Sequence, residues 1–241
     1  MGRLTGQTAL VTGASKGIGR ACALALAAEG AGVGLVARHQ EGLEAVLQEI
    51  ERAGGRGFVA AADVSDEARV APVFDQVEQR LGPVSILVNN AGTLEKGRVA
   101  ELPTEAFDRT MDVNLRAPFL WAREAVRRMV PRRRGRILFV SSISSTLGTP
   151  GASAYNASKW ALNGLIKSLA EEAQGHGRPG DGRLARLGGH RDARQGGLPA
   201  GDDARRRGGG RPVPGDRGAA GDAGQHRGDV RRPVAHPGKA V

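Results

Sequence analysis

Short apolar runs alternate with amphipathic stretches along the first 173 residues of the chain. Five runs have the length and the small or β-branched composition of strands: TALVTG, VGLVA, GFVAAADV, SILVNNAG and RILFVSS. In the segments between them, apolar residues recur every three or four positions, as in EGLEAVLQEIERAGG. This alternation is typical of stacked βαβ units. It predicts one α/β domain with a doubly wound parallel sheet and ligands at the carboxyl ends of its strands.

The apolar spacing also places the helices. They are expected at about 18–30, 41–55, 70–82, 104–130 and 154–173. In the last of these, one stripe that can be buried is formed by Ala157, Leu162, Leu165, Ile166 and Leu169. Residues 1–173 are therefore predicted to form a single domain with its own core.

Residues 174–241 have a different composition. They hold 14 Lys and Arg against 7 Asp and Glu, and no Ile, Met, Phe, Trp or Tyr. This tail carries +7 of the formal net charge of +10, so the domain before it is nearly neutral and nucleic acid is not expected as its partner. Such a composition predicts disorder, with the last strands missing and the fifth strand left as an unpaired edge. The alternative is a genuine basic tail that makes the chain an interaction protein, for example with nucleic acid.

A glycine-rich segment, TGASKGIG at 12–19, lies where the first strand ends and the first helix begins. Its spacing, G-x-x-x-G-x-G, differs from the common dinucleotide fingerprint G-x-G-x-x-G. Glycines allow backbone N–H groups to approach a pyrophosphate, and the helix that follows presents its positive end to the same anion. The segment predicts a dinucleotide site, and a tight turn without a ligand remains the alternative.

The choice between dinucleotides can be argued from charge. An acidic residue after the second strand binds a ribose 2′-hydroxyl, whereas a basic residue accommodates a 2′-phosphate. Here VGLVA leads into Arg38, and Lys16 in the glycine segment supplies a second cation. These two residues favour NADP over NAD. They could also be ordinary solvated surface charges.

A Tyr and a Lys stand four residues apart in YNASKWAL, at the start of the last predicted helix. This spacing places Tyr155 and Lys159 on one face. An ammonium group beside a phenol stabilises the phenolate, so such a pair can exchange a proton with a carbonyl or alcohol oxygen. By itself the pattern Y-x-x-x-K often arises by chance.

The pair is accompanied by other motifs in a fixed order. TGASKGIG, NNAG at 89–92, DVN at 112–114, SS at 141–142 and YNASK at 155–159 each follow a predicted strand or lie on an adjacent helix. Together they resemble the short-chain dehydrogenase/reductase family over about residues 4–173. Within that family the chain is most similar to 3-oxoacyl-acyl-carrier-protein reductases. The resemblance implies an NADPH-dependent oxidoreductase that reduces a ketone such as a 3-oxoacyl thioester and assembles as a homodimer or homotetramer. No metal is expected.

The resemblance also implies roles for individual residues. Tyr155 would protonate the carbonyl oxygen, Lys159 would support Tyr155 and bind the nicotinamide ribose, and Ser142 would hold the carbonyl oxygen. Asn114 would interrupt its helix and hold a water of a proton relay. The cofactor-binding residues it implies are Gly13, Ser15, Lys16, Gly17, Ile18, Gly19, Arg38, Asp63, Val64, Asn90, Ala91, Gly92, Tyr155 and Lys159. Individually, Ser142, Asn114 and Asp63 could equally be cap or turn residues, and a non-catalytic nucleotide-binding protein is the second functional interpretation.

The tail has a further interpretation in the genetic code. The family continues after the last helix with a sixth strand and a Pro-Gly turn, which residues 174–241 do not resemble. If 180–186 is encoded by GGT GAC GGT CGT CTC GCC CGG, regrouping the bases one position later gives V-T-V-V-S-P-G. We therefore hypothesise that the reading frame changes between about residues 174 and 178, and that the 241-residue chain turns over little ketone.

Cysteine usage and hydropathy bear on location. The only cysteine, Cys22, falls in a predicted helix, so a disulfide framework is not expected and a reducing compartment fits best. The sequence shows neither a basic and apolar leader before the first strand nor an apolar run long enough for a membrane span. We therefore expect a cytoplasmic protein that is not held in a membrane.

Overall fold

The computed structural model of the chain describes residues 2–175 and 184–188, all within one compact unit that spans Met1–Ala193. The strands are β1 (Thr8–Thr12), β2 (Gly32–Ala37), β3 (Arg56–Ala61), β4 (Val84–Asn89), β5 (Gly135–Phe139) and β6 (Leu184–Gly188). The α-helices are α1 (Gly17–Ala28), α2 (Gln40–Arg52), α3 (Glu67–Leu81), α4 (Thr104–Met111), α5 (Ala117–Met129) and α6 (Ser153–Gly175). Every predicted strand of the first 173 residues is present, with small shifts at its ends. The predicted helices are also present, except that the one expected at 104–130 is divided in two. Ala157, expected in the buried stripe of α6, is exposed.

The strands form one parallel sheet in the order β3-β2-β1-β4-β5-β6. β1 pairs with β2 on one side and with β4 on the other, so the direction of the crossovers reverses between β1 and β4. Right-handed crossovers in opposite directions place helices on both faces of the sheet. This confirms the predicted doubly wound, Rossmann-like fold, and it places the expected ligand cleft at the carboxyl ends of β1 and β4.

The edge beside β5 is the point at which the sequence prediction was wrong. β6 pairs with β5 in parallel, with Gly135 opposite Leu184 and Leu138 opposite Gly188. The physical reason is that an open strand edge presents unpaired backbone N–H and C=O groups, and almost any extended backbone can satisfy them. The rest of the predicted disordered tail, at 176–183 and 189–241, lies outside the described residues.

Two apolar layers cover the two faces of the sheet. On one face α3, α5 and α6 pack against the strands around Phe74 and Trp121, whose ring centroids lie 5.9 Å apart. On the other face α1 and α2 bury Leu43, Val46 and Ile50 against β1, β2 and β4. The sheet is thus covered on both sides over most of its width, as parallel sheets require.

The long helix predicted at 104–130 is interrupted. A π-helical turn at Asp112–Arg116 separates α4 from α5, and Ala117 N–H donates to the carbonyl of Asp112 across it. Pro118 follows at once, and because proline has no N–H it cannot donate the α-helical bond to the carbonyl of Asn114. The interruption that the family resemblance implies at Asn114 is therefore present.

Candidate active site

The glycine segment forms a tight connection between β1 and α1. Gly13 and Gly17 have φ angles of +65° and +56°, a region that favours glycine. A Cβ on Gly19 would lie 2.2 Å from the carbonyl oxygen of Gly13, so only glycine allows the first turn of α1 to pack against the loop. The spacing G-x-x-x-G-x-G is thus explained by two positive φ angles and one close backbone approach.

Asn90 fixes this loop from the neighbouring strand. Its Nδ2 donates to the carbonyls of Thr12 at 2.9 Å and Gly13 at 3.1 Å. The Thr12 hydroxyl accepts in turn from the backbone N–H groups of Asn90 and Ala91 at 3.0 and 3.2 Å. The ends of β1 and β4 are therefore joined by reciprocal side-chain bonds, and Thr12 is a site residue that the sequence analysis missed.

The start of α1 can receive an anion. Its N-cap residue, Lys16, makes no side-chain capping bond within the described part of the chain, and the Lys16 side chain is exposed. Two positions further on, Ile18 is 61% exposed despite its apolar side chain, while Ser15 is half-buried. Backbone N–H groups at a helix start, a nearby cation and glycines that leave room for close approach fit a dinucleotide pyrophosphate.

The segments after β2 and β3 meet beside this loop. The pKa of the Asp63 carboxyl is lowered, mainly by the hydrogen bond from the Ser65 hydroxyl. The charge of Arg38, which is exposed, lowers it further. Val64 is buried, and its carbonyl accepts from Trp121 Nε1 at 3.0 Å. The side chains at the ends of β2 and β3 can thus contact one end of an elongated ligand.

Tyr155 and Lys159 lie one helical turn apart on α6, as predicted. Lys159 Nζ donates to the backbone carbonyl of Val140 at 2.9 Å and lies 5.7 Å from the centre of the Tyr155 ring. Lys159 is 5% exposed, and this burial lowers its pKa. The bond to Val140 ties α6 to the end of β5, so the fold holds a buried amine beside the half-buried Tyr155 ring.

Ser142 begins a short 3₁₀ turn directly after β5. Its Oγ accepts from the N–H of Ser144 at 3.2 Å, and its carbonyl accepts from the Ser145 hydroxyl at 2.6 Å. The neighbouring Ser141 hydroxyl donates to Asn163 Oδ1 on α6 at 3.0 Å. The cap role that the sequence analysis left open is therefore present, and the half-buried Ser142 hydroxyl keeps a proton to donate.

Asn114 is fully buried in the π-helical turn. Its Oδ1 accepts from Thr93 N–H at 2.8 Å, and its Nδ2 donates to the Thr93 carbonyl at 2.8 Å and to Ser158 Oγ at 3.1 Å. A Cβ on Gly92 would lie 3.3 Å from Asn114 Oδ1, so the loop after β4 passes close to this side chain. Asn114 thus joins the loop after β4 to α6 through Thr93 and Ser158, neither of which the sequence analysis predicted.

The predicted residues fall into two neighbouring groups along one edge of the sheet. The glycine loop, Asn90, Arg38 and Asp63 surround the ends of β1 to β4, and Ser142, Tyr155 and Lys159 surround the end of β5. Within the described ranges, no group of three or more His, Cys, Asp or Glu side chains is placed to hold a metal ion. Over the same ranges, none of the helices combines the length and apolar character that a membrane crossing needs.

The fold defines a doubly wound, Rossmann-like α/β protein, and comparison with known proteins gives its family. Residues 7–177 match the family described as short chain dehydrogenase. The chain belongs to the short-chain dehydrogenase family, as its motifs indicated.

Individual relatives agree with this assignment. A 3beta-hydroxysteroid dehydrogenase of Mediterraneibacter gnavus is 41% identical over 171 residues, covering 70% of this chain and 62% of that protein. A 3-oxoacyl-acyl-carrier-protein reductase of Staphylococcus aureus is 37% identical over 172 residues, covering 71% of this chain and 70% of that protein. A metagenomic short-chain oxidoreductase crystallised with NADP is 41% identical, with a TM-score of 0.69 over 72% of this chain and 79% of that chain. The chain spans about 60% of the length of the first curated relatives it matches.

Proposed function

We propose that the domain is an NADP-dependent oxidoreductase that acts on an apolar ketone or the corresponding alcohol. The observation that carries the proposal is the placement of Tyr155 beside buried Lys159, along the same sheet edge as the glycine loop. When bound, the nicotinamide dinucleotide supplies the hydride that reduces the ketone. The rest of the chemistry is proton transfer and positioning, which side chains of this chain can perform.

Charge supports NADP as the dinucleotide. Arg38 and Lys16 are both exposed, at the end of β2 and at the start of α1 respectively, and both cations are proposed to receive the 2′-phosphate. The crystallised metagenomic relative also carries NADP. The adenosine portion would lie along Asp63, Val64 and Asn90.

Four residues perform the proton transfer and the positioning. Tyr155 donates the proton to the substrate oxygen, and the Lys159 amine stabilises the phenolate that is left. The Ser142 hydroxyl donates a second hydrogen bond to the same oxygen, fixed by its place in the turn after β5. Asn114 holds the π-helical turn against α6. Because Pro118 cannot donate the α-helical hydrogen bond to the backbone carbonyl of Asn114, we propose that this carbonyl holds the relay water that the family resemblance implies.

The substrate is proposed to be apolar around its carbonyl. Leu94, after β4, is 47% exposed, and Ile143 and Leu147, after β5, are 66% and 57% exposed. β4 and β5 are neighbours, and the two loops touch where Gly97 N–H donates to the Gly151 carbonyl at 3.0 Å. Exposed apolar side chains on both loops suit an acyl chain such as that of a 3-oxoacyl thioester.

The test is a binding and turnover experiment on the full chain. NADPH binding is followed by its fluorescence, and NADPH oxidation is followed with a 3-oxobutanoyl thioester and with a bulky apolar ketone. Tyr155→Phe should leave NADPH binding intact and abolish any oxidation, because it removes only the transferable proton. Absence of NADPH binding in the parent chain, or a measurable oxidation by the parent that Tyr155→Phe retains at the same rate, would refute the proposal.

We further propose that residues 174–241 are an out-of-frame translation and that the 241-residue chain turns over ketone poorly. The family match stops at residue 177 although the chain continues to Val241. On β5, Ile137 and Phe139 are buried while Arg136 and Leu138 are exposed, so one face of this strand lacks the cover that parallel sheets have. Resequencing the encoding DNA between residues 169 and 183 tests this: an unchanged frame would overturn it, and a single inserted or deleted base would support it.

A second copy of the chain is the proposed partner. A groove on the outer surface of α4, α5 and α6 is lined by Met111, Asp112, Leu115, Arg116, Phe119 and Leu165, and Phe119 is 43% exposed. A mostly apolar groove on long helices suits a self-complementary interface. Phe119→Asp should convert a dimer or tetramer to a monomer in analytical ultracentrifugation. A parent chain that sediments as a monomer would contradict this.

A further inference from the structure

Ser158 connects two of the candidate catalytic residues. Its hydroxyl donates to the backbone carbonyl of Tyr155 at 2.7 Å and accepts from Asn114 Nδ2 at 3.1 Å. Ser158 is completely buried, as is Asn114. A single hydroxyl therefore uses its donor and one acceptor position inside the protein, on two residues from different elements.

The connection extends to a third segment. Both polar atoms of the Asn114 amide bond to the backbone of Thr93, at 2.8 Å each. A continuous series of hydrogen bonds thus runs from the loop after β4, through the π-helical turn, to the first turn of α6. Because every member of the series is buried or half-buried, a missing hydroxyl would leave Asn114 Nδ2 with one proton unpaired.

We infer that Ser158 is a positioning residue that fixes the first turn of α6 against the π-helical turn and so sets the Tyr155 ring beside Lys159. This inference rests on the proposed role of Tyr155 but not on the identity of the substrate. Lys159 is held separately by the Val140 carbonyl. Within the described residues, the Tyr155 hydroxyl has no hydrogen bond that would hold the ring. The position of the ring therefore depends on the backbone of its own turn, to which the Ser158 hydroxyl is bonded.

The expected consequence concerns the phenol rather than global stability. If the first turn shifts, the Tyr155 ring moves relative to the fixed Lys159 amine. Tyr155 is the only tyrosine of the chain. The NMR signals of a protein labelled with 13C on its tyrosine ring therefore report this one side chain.

The experiment compares the tyrosine ring chemical shifts of the labelled full-length parent with those of Ser158→Ala. The ring signals of the alanine variant should move away from those of the parent. Ser158→Thr, which keeps the hydroxyl, should return them to the parent positions. Ser168→Ala is the matched control, since Ser168 is exposed on the same helix. If the alanine variant does not fold, Ser158→Cys replaces it, because it keeps the size with a weaker hydrogen-bonding group.

Three outcomes decide the inference. A folded Ser158→Ala or Ser158→Cys protein whose tyrosine ring signals match those of the parent would overturn it, as would the same shift of these signals in Ser168→Ala. A shift that threonine reverses would support it. NADPH binding is measured on the same samples, so a chain that binds no NADPH refutes the proposed function without affecting the result for Ser158.

Discussion

The Nζ of Lys159 donates a hydrogen bond to the backbone carbonyl of Val140 at 2.9 Å. This bond joins α6 to the end of β5 and holds a buried amine beside Tyr155. Neither partner could form the arrangement alone, because the helix supplies the amine and the strand supplies the acceptor. The position of the amine therefore depends on the packing of α6 against the sheet.

Replacement of Lys159 by Met should change how stability depends on pH. Burial lowers the pKa of Lys159, so the folded chain holds this proton less tightly than the unfolded chain does. The free energy of unfolding should therefore rise with pH between the lowered pKa and the ordinary lysine value of about 10.4. In Lys159→Met that rise should be absent, as measured by urea unfolding at a series of alkaline pH values. Lys167→Met, at an exposed position of α6, is the control, and equal pH slopes in all three proteins would contradict the assignment.

The glycine loop should not tolerate a methyl group at Gly19. A Cβ there would lie 2.2 Å from the Gly13 carbonyl oxygen and 2.4 Å from Asn90 Nδ2. Gly19→Ala should lose roughly 1–3 kcal/mol of stability and most NADPH affinity. Gly164 in α6 has open space around it. Gly164→Ala should therefore raise the free energy of unfolding by about 0.5–1 kcal/mol. Thermal unfolding and NADPH titration of both variants check this, and similar behaviour of the two would show that the loop packing is unimportant.

Removal of the Arg38 charge should distinguish the two dinucleotides. A charge-assisted hydrogen bond contributes roughly 1.5–3 kcal/mol, so Arg38→Ala should weaken NADPH binding about tenfold to a hundredfold. NADH binding should be unchanged, because NADH lacks the 2′-phosphate. Arg52→Ala, an exposed position at the end of α2, is the control for net charge. An equal loss of affinity for both dinucleotides in Arg38→Ala would refute the role of Arg38.

The contact between α3 and α5 should weaken in acid through Glu78. Burial by itself would raise the pKa of Glu78, but hydrogen bonds from Arg132 at 2.7 Å, from Val84 N–H at 3.0 Å and from Arg128 at 3.0 Å lower it overall. Because folding lowers this pKa, the contribution of Glu78 to the free energy of unfolding is complete above the ordinary glutamate pKa of about 4.3. It is lost as the pH falls through the lowered pKa.

Glu78→Gln should therefore lower the free energy of unfolding by roughly 1–3 kcal/mol at neutral pH. Between neutral and acidic pH, this variant should lose less stability than the parent does. Urea unfolding at several acidic pH values measures both effects. Glu101→Gln, at an exposed position, serves as the control. If the parent and Glu78→Gln lost stability in parallel as the pH fell, Glu78 would not be the responsible group.

The sequence by itself determined the order of strands and helices and the chemical class of the site. Strands and helices follow from local apolar spacing, and Gly13, Gly17, Tyr155 and Lys159 belong to short motifs whose geometry is local. For this reason β1 to β5 and the Tyr-Lys pair could be placed from residue types and spacing alone. The interruption at Asn114 was expected from the family resemblance, and Pro118 supplies a local physical reason for it.

Only the tertiary structure decided which distant groups complete the site. Four residues, Thr12, Thr93, Val140 and Ser158, contribute through hydrogen bonds to residues 19 to 79 positions away along the chain. The pairing of Leu184–Gly188 with β5 was likewise missed. Such contacts depend largely on backbone groups that every residue carries and on which chain segments the sheet brings together, so residue type and local spacing could not reveal them.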